Sequence, residues 1–96
     1  MDESRIRKEI KCKASRSGGP GGQHANKVST RITAQFDLHA SEAITGEEKM
    51  RIAEKLKHRI NDKGILTLSC DSSRSQHQNR SMAIERMITL LRGALK

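Results

Sequence analysis

A strict alternation of apolar and polar residues between positions 27 and 38 constrains the fold of this 96-residue chain most. One side of the alternation carries Val28, Thr30, Ile32, Ala34, Phe36 and Leu38. A period of two is typical of a β-strand with one buried face. We therefore predict a strand here that packs one face on a core and turns the other to solvent.

Residues 6–14 predict a second, more basic strand. Ile6, Ile10, Cys12 and Ala14 share one side, with Lys8 as the exception. The other side carries Arg5, Arg7, Glu9, Lys11 and Lys13. This pattern indicates a half-buried strand whose outer face is positively charged.

The segment between the two predicted strands reads GGPGGQH over residues 18–24 and holds four of the seven glycines and the only proline. Such a segment is a poor helix or strand and is costly to order. We predict a flexible loop of about twelve residues, 15–26. A hairpin usually needs two to five residues, and long loops on a compact scaffold are more often functional.

The remaining residues predict two helices that flank a third strand. Thr45 and Glu48 fit a capping box that begins a helix running to about Asp62, with Met50, Ala53, Leu56 and Ile60 inward. Residues 65–70 predict a buried strand. Ser75 and Gln78 fit a second capping box, before a helix with Ile84, Met87, Ile88, Leu91 and Leu95 inward. The predicted fold is a single α+β domain over residues 1–96, a small mixed β-sheet with two helices in the order β-β-α-β-α.

The charge of the chain favours a polyanionic partner, most simply a nucleic acid. The formal net charge is +8, and residues 4–36 carry eight basic residues against one acid, Glu9. Phe36 is the only aromatic residue, so the usual platform for stacking bases is missing. An RNA partner would be held mainly through phosphates, shape and 2′-hydroxyls.

Several other classes of function are disfavoured by the sequence. A P-loop needs Lys after its last glycine, but Gly22 is followed by Gln23. A dinucleotide-binding fingerprint needs glycine where His24 stands, so neither phosphate-binding motif fits. The two cysteines and the scattered histidines lack zinc spacing. We therefore expect no cofactor, no metal, free thiols in a reducing cytoplasmic setting, and no membrane segment.

The glutamine at the end of the glycine segment indicates a particular chemistry. Its side-chain amide is neither acid nor base near neutral pH, but it both donates and accepts hydrogen bonds. Glycines before it permit backbone angles that direct an N–H at an oxyanion. Gly21, Gly22 and Gln23 would thus suit the positioning of a water and not the abstraction of a proton.

The segment SRSGGPGGQHANKVSTRI, residues 15–32, resembles the GGQ loop of class I peptide chain release factors. More closely, it resembles the codon-independent peptidyl-tRNA hydrolases of the alternative ribosome-rescue factor B type. The later segment SRSQHQNRSMAIERMITLL, residues 73–91, matches the R-S-Q-x-x-N opening of their last helix. The tripeptide alone is a weak signal, but the two segments in this order are specific.

The resemblance implies that Gly21, Gly22 and Gln23 enter the peptidyl transferase centre of the large ribosomal subunit. Gln23 would place a water against the ester of peptidyl-tRNA, and a glutamine methyltransferase would be a further partner. From charge and position we expect RNA contacts at Arg16, Lys27, Arg31, Arg74 and Arg80. For Ser75 we favour a structural capping role. We expect the protein to act as a monomer.

Two departures from that family leave alternatives open. Domains that read stop codons have no room here, which favours codon-independent action. The rescue factors also end in a basic tail, which is absent after Lys96, and we favour removal of the tail over another route to the ribosome. The main alternative function is a non-catalytic RNA-binding or ribosomal module. Hydrolysis of free peptidyl-tRNA is disfavoured because the motif supplies no acid-base pair.

Overall fold

The computed structural model describes residues 1–15 and 31–96, which form three α-helices and three strands. In chain order the elements are α1 (Glu3–Glu9), β1 (Lys11–Ser15), β2 (Arg31–Asp37), α2 (Gly46–Lys55), a short 3₁₀-helix (Lys57–Arg59), β3 (Ile65–Cys70) and α3 (Gln76–Ala94). The predicted α+β class is confirmed. The predicted element order is not matched in full, because a helix precedes the first strand.

The three strands form one sheet in the order β1-β2-β3. Both pairs are antiparallel over the described residues. The prediction of a mixed sheet is therefore wrong for this part of the chain. β2 lies in the centre, where Cys12 pairs with Ala34 and Ala34 with Leu68. The alternation that predicted β2 is confirmed from Ile32 to Leu38, since Ile32, Ala34, Phe36 and Leu38 are all buried.

The N-terminal residues differ most from expectation, because residues 3–9 are helical and the strand begins only at Lys11. Ile6 and Ile10 are four residues apart, a spacing that suits one face of a helix as well as one face of a strand. Local contacts favour the helix. The Asp2 carboxylate accepts a hydrogen bond from the Arg5 N–H as its N-cap, at 3.2 Å.

The core lies between the sheet and α3, which packs across β2 and β3, while α1 and α2 pack against α3. Its largest fully buried side chains include Phe36, Leu38, Leu66, Met87 and Leu91. α3 thus covers one face of the sheet. The other face carries the residues between the buried positions of β2, and it is polar.

The helix predicted after Thr45 is α2, which is shorter than expected and buries a different face. The Thr45 capping box is present, with both reciprocal hydrogen bonds. The helix ends at Lys55 and not near Asp62, and Ile60 instead forms a bridge with Leu66. Ile52 is its buried residue, whereas Met50, predicted to face inward, is 74% exposed.

The last helix follows the prediction closely. Ser75 is its N-cap and accepts a hydrogen bond from the Gln78 N–H. The reciprocal half of the predicted capping box is replaced, because the Ser75 N–H donates to the Ser73 hydroxyl. Met87, Ile88 and Leu91 are buried as predicted, while Ile84 and Leu95 are half-buried against the core.

Candidate functional site

The predicted catalytic residues belong to the connection between β1 and β2. Ser15, the last residue of β1, pairs with Arg31, the first residue of β2, so residues 16–30 join two adjacent strand ends. Gly21, Gly22, Gln23, Arg16 and Lys27 lie in this connection and outside the described residues. The predicted loop 15–26 lies there too, apart from Ser15.

The second family-like segment lies at the same end of the sheet. Cys70, the last residue of β3, pairs with Ile32, and the turn 71–75 then leads into α3. Arg31 and Arg74 are therefore brought to one end of the sheet by adjacent strands. The described ends of the first segment, Ser15 and Arg31–Ile32, thus lie at the same end of the sheet as the start of the second segment.

Asn79 fixes the shape of the turn that carries Arg74. This side chain is fully buried in the first turns of α3. Its amide oxygen accepts a hydrogen bond from the Ser73 N–H at 2.9 Å, and its amide nitrogen donates to the Ser73 carbonyl at 2.9 Å. The Cys70 thiol also donates to the same oxygen, at 3.8 Å. Asn79 thereby ties the end of β3 and the turn to α3.

Asn79→Ala should destabilise the domain by about 1–3 kcal/mol, because it leaves the partly buried Ser73 N–H and carbonyl without these partners. Urea unfolding of the variant measures this change. Ser81→Ala, an exposed serine of the same helix, is the matched control and should fall within about 0.5 kcal/mol of wild type. Equal midpoints for the two variants would contradict the role assigned to Asn79.

The arginines predicted to contact RNA have charges that are available to an anion. Arg31, Arg74 and Arg80 are exposed, and none of them forms an ion pair with a carboxylate within residues 1–15 and 31–96. Arg80 lies near enough to β1 for its charge to act on Cys12. Burial raises the pKa of the Cys12 thiol, and the Arg80 charge opposes that rise.

The described part of the chain offers no obvious metal centre. Cys12 and Cys70 are both free thiols, and no group of three His, Cys, Asp or Glu residues in the described ranges could hold a metal ion. No helix among these residues is long and apolar enough to span a membrane. Among the described residues, the end of the sheet from which the connection emerges carries Arg31 and Arg74, and neither forms an ion pair there.

Comparison with known proteins identifies the family. The RF-1 domain model matches residues 3–96. Mouse (Mus musculus) large ribosomal subunit protein mL62 is 36% identical over 72 residues, which is 75% of this chain and 35% of that protein. Pseudomonas putida peptidyl-tRNA hydrolase ArfB is 35% identical over 88 residues, which is 92% of this chain and 64% of that protein. The chain thus spans about a third and just under two thirds of these relatives, and it belongs to the RF-1 domain family of GGQ release-factor-like proteins.

Proposed function

We propose that this protein hydrolyses the ester of peptidyl-tRNA on stalled ribosomes, without reading a codon. The observation that carries the proposal is the GGPGGQ segment between the paired strand ends Ser15 and Arg31, in a chain 35% identical to a peptidyl-tRNA hydrolase over 92% of its length. The ribosome supplies the remainder of the site, since the segment itself has no acid-base pair.

In this mechanism Gln23 holds a water against the ester carbonyl that joins the peptide to tRNA. Attack by the water oxygen forms a tetrahedral oxyanion, which the Gln23 backbone N–H stabilises by a hydrogen bond. Collapse of the intermediate breaks the bond to the tRNA oxygen, which leaves with the proton that the attacking water gives up. Gly21 and Gly22 allow the backbone to approach the ester closely.

The arginines at this end of the sheet serve binding and not chemistry. Arg31, Arg74 and Arg80 neutralise phosphates around the ester, together with Arg16 and Lys27 from the connection. The protein works as a cytoplasmic monomer without a cofactor, and a glutamine methyltransferase modifies Gln23.

A structural ribosomal module is the second candidate, because one relative bears the name of a large ribosomal subunit protein. The two candidates differ in how the protein is held. A rescue factor would be substoichiometric and would leave ribosomes in a high-salt wash. A structural constituent would remain at about one copy per particle.

Peptide release from ribosomes with messages of two lengths tests the proposed function. One message ends at the P site and the other runs far beyond it. We expect release from the short message only. Release from neither message, by protein that is bound to the ribosomes, would favour the structural module. A version with a basic C-terminal tail tests whether the hydrolase needs residues beyond Lys96 for activity.

A further inference from the structure

The face of the sheet that the helices leave open is a continuous polar surface. Residues paired across antiparallel strands point to the same side. One row on this side is Lys11, Gln35 and Thr67, and the next is Lys13, Thr33 and Ser69. Arg31 lies on the same side, beside the connection. Here we call the part of this surface formed by Lys11, Lys13, Arg31, Thr33, Gln35, Thr67 and Ser69 the open face. Ser15 lies on the same side at one end, and the paired residues Asp37 and Ile65 lie on it at the other end.

Among the described residues, no acid forms an ion pair with the positive charges of the open face. Asp37, which lies on the same side of the sheet, accepts a hydrogen bond from the Ala40 N–H at 3.1 Å. Lys11, Lys13 and Arg31 are exposed and form no ion pair within the described residues. On the helical side, by contrast, several arginines meet acids. Arg7 pairs with Glu85, and Arg92 pairs with Glu3. The open face thus presents three cations that form no ion pair with an acid among the described residues. Exposed lysines elsewhere, such as Lys55 and Lys63, share that property but do not lie on the sheet beside the connection.

The uncharged residues of the open face are also suited to a nucleic acid. Thr33, Gln35, Thr67 and Ser69 offer hydroxyl and amide groups, and the Thr33 and Ser69 hydroxyls are hydrogen-bonded to each other at 3.1 Å. Such groups bond phosphates and 2′-hydroxyls. The aromatic residues and methionines that anchor protein partners do not occur among the residues of this face.

We propose that the open face binds the sugar-phosphate backbone of ribosomal RNA, with Lys11 and Lys13 as new contact residues. This inference rests on the proposed function, which brings the connection to the peptidyl transferase centre. The open face runs back from the base of that connection along β1 and β2. It is therefore placed to meet the RNA of the large subunit behind the reacting ester.

The test compares two double variants that remove the same charge. Lys11→Gln with Lys13→Gln changes the open face. Lys55→Gln with Lys63→Gln changes exposed lysines on α2 and in the turn before β3. Binding to vacant large ribosomal subunits, which hold no tRNA, is measured over a series of salt concentrations. The open-face variant should bind about tenfold or more weakly, and its slope of log K against log salt should fall by roughly 1.4–1.8.

The control pair should keep the wild-type slope, and all of the positions are exposed, so both variants should keep the wild-type melting temperature. Equal losses in both pairs would overturn the proposal, because the effect would then come from net charge alone. A benzophenone amino acid at position 67 tests the partner. A crosslink to ribosomal RNA supports the proposal, while a crosslink to a ribosomal protein overturns it.

The binding assay does not depend on hydrolysis, and the two proposals can therefore fail separately. If the open-face variant binds more weakly than wild type but wild-type protein releases no peptide, the proposed function is wrong and the proposed RNA surface is supported. If wild-type protein releases peptide while the open-face pair binds normally, the reverse holds.

Discussion

Gln23→Ala should lower the rate of peptide release by at least about a hundredfold, because a misplaced reacting group costs about that much. The substitution keeps the backbone N–H but removes the amide that would hold the water. Single-turnover release from ribosomes on a short message measures the effect. The sequence places Gln23 in a loop, so we expect the melting temperature to stay at the wild-type value.

His24→Ala is the matched control, since His24 is the adjacent titratable group and we expect it to be a hydrogen-bonding or RNA-contacting neighbour. Its loss of rate should be much smaller than that of Gln23→Ala. A loss as large as that of Gln23→Ala would mean that His24 acts as the general base. Unfolding of Gln23→Ala would also count against the proposed mechanism, because the loss would then be structural.

Phe36→Ala should have the largest effect on stability, about 3–5 kcal/mol, because it opens a cavity at the centre of the core. Phe36 is the only aromatic residue and is fully buried on the central strand, paired with Leu66. At about 4–8 °C per kcal/mol for a domain of this size, the melting temperature should fall by at least about 12 °C.

Met50→Ala provides the comparison for that measurement. Met50 is 74% exposed, and its truncation should cost no more than about 0.5 kcal/mol. Calorimetry of both variants measures the difference. A similar loss of stability in the two variants would show that Met50 faces inward, as the sequence pattern predicts and contrary to its exposure in the structure.

The central strand, β2, was the element most predictable from the sequence. β2 is central, so its buried face had to be apolar at every second residue, and that signal was unambiguous. The structure of residues 6–10 was ambiguous in the sequence, because the spacing of Ile6 and Ile10 fits both a helix and a strand. The Asp2 N-cap favours the helix, and the helical conformation still buries both Ile6 and Ile10 in the core.

Periodicity also failed to predict the end of α2 and the role of Asn79, because both depend on side-chain hydrogen bonds. The helical pattern continued past Lys55, but the chain turns at Asn61, whose side chain accepts hydrogen bonds from the Lys63 and Ile65 N–H groups. Gly64, with φ of 80°, completes that turn. The role of Asn79 was also missed, although a signal existed. It lies four residues before the buried Ala83, and a polar residue on an apolar helix face usually has buried partners.

The candidate functional residues are predicted from a short motif and from charge, and not from periodicity. The structure adds that Arg31 and Arg74 share one end of the sheet, through the pairing of Ile32 with Cys70. Among the described residues, it also separates arginines that pair with acids, such as Arg7 and Arg92, from those that do not. A count of positive charges along the sequence could not make that distinction.

The most direct test of ribosome-dependent hydrolysis is the rate at which this chain cleaves one labelled peptidyl-tRNA, measured free in solution and bound in the P site of a ribosome on a short message. We expect cleavage only in the ribosome-bound case, since the GGQ segment lacks an acid-base pair of its own. Equal cleavage of the free substrate, or cleavage of the free substrate alone, would contradict it.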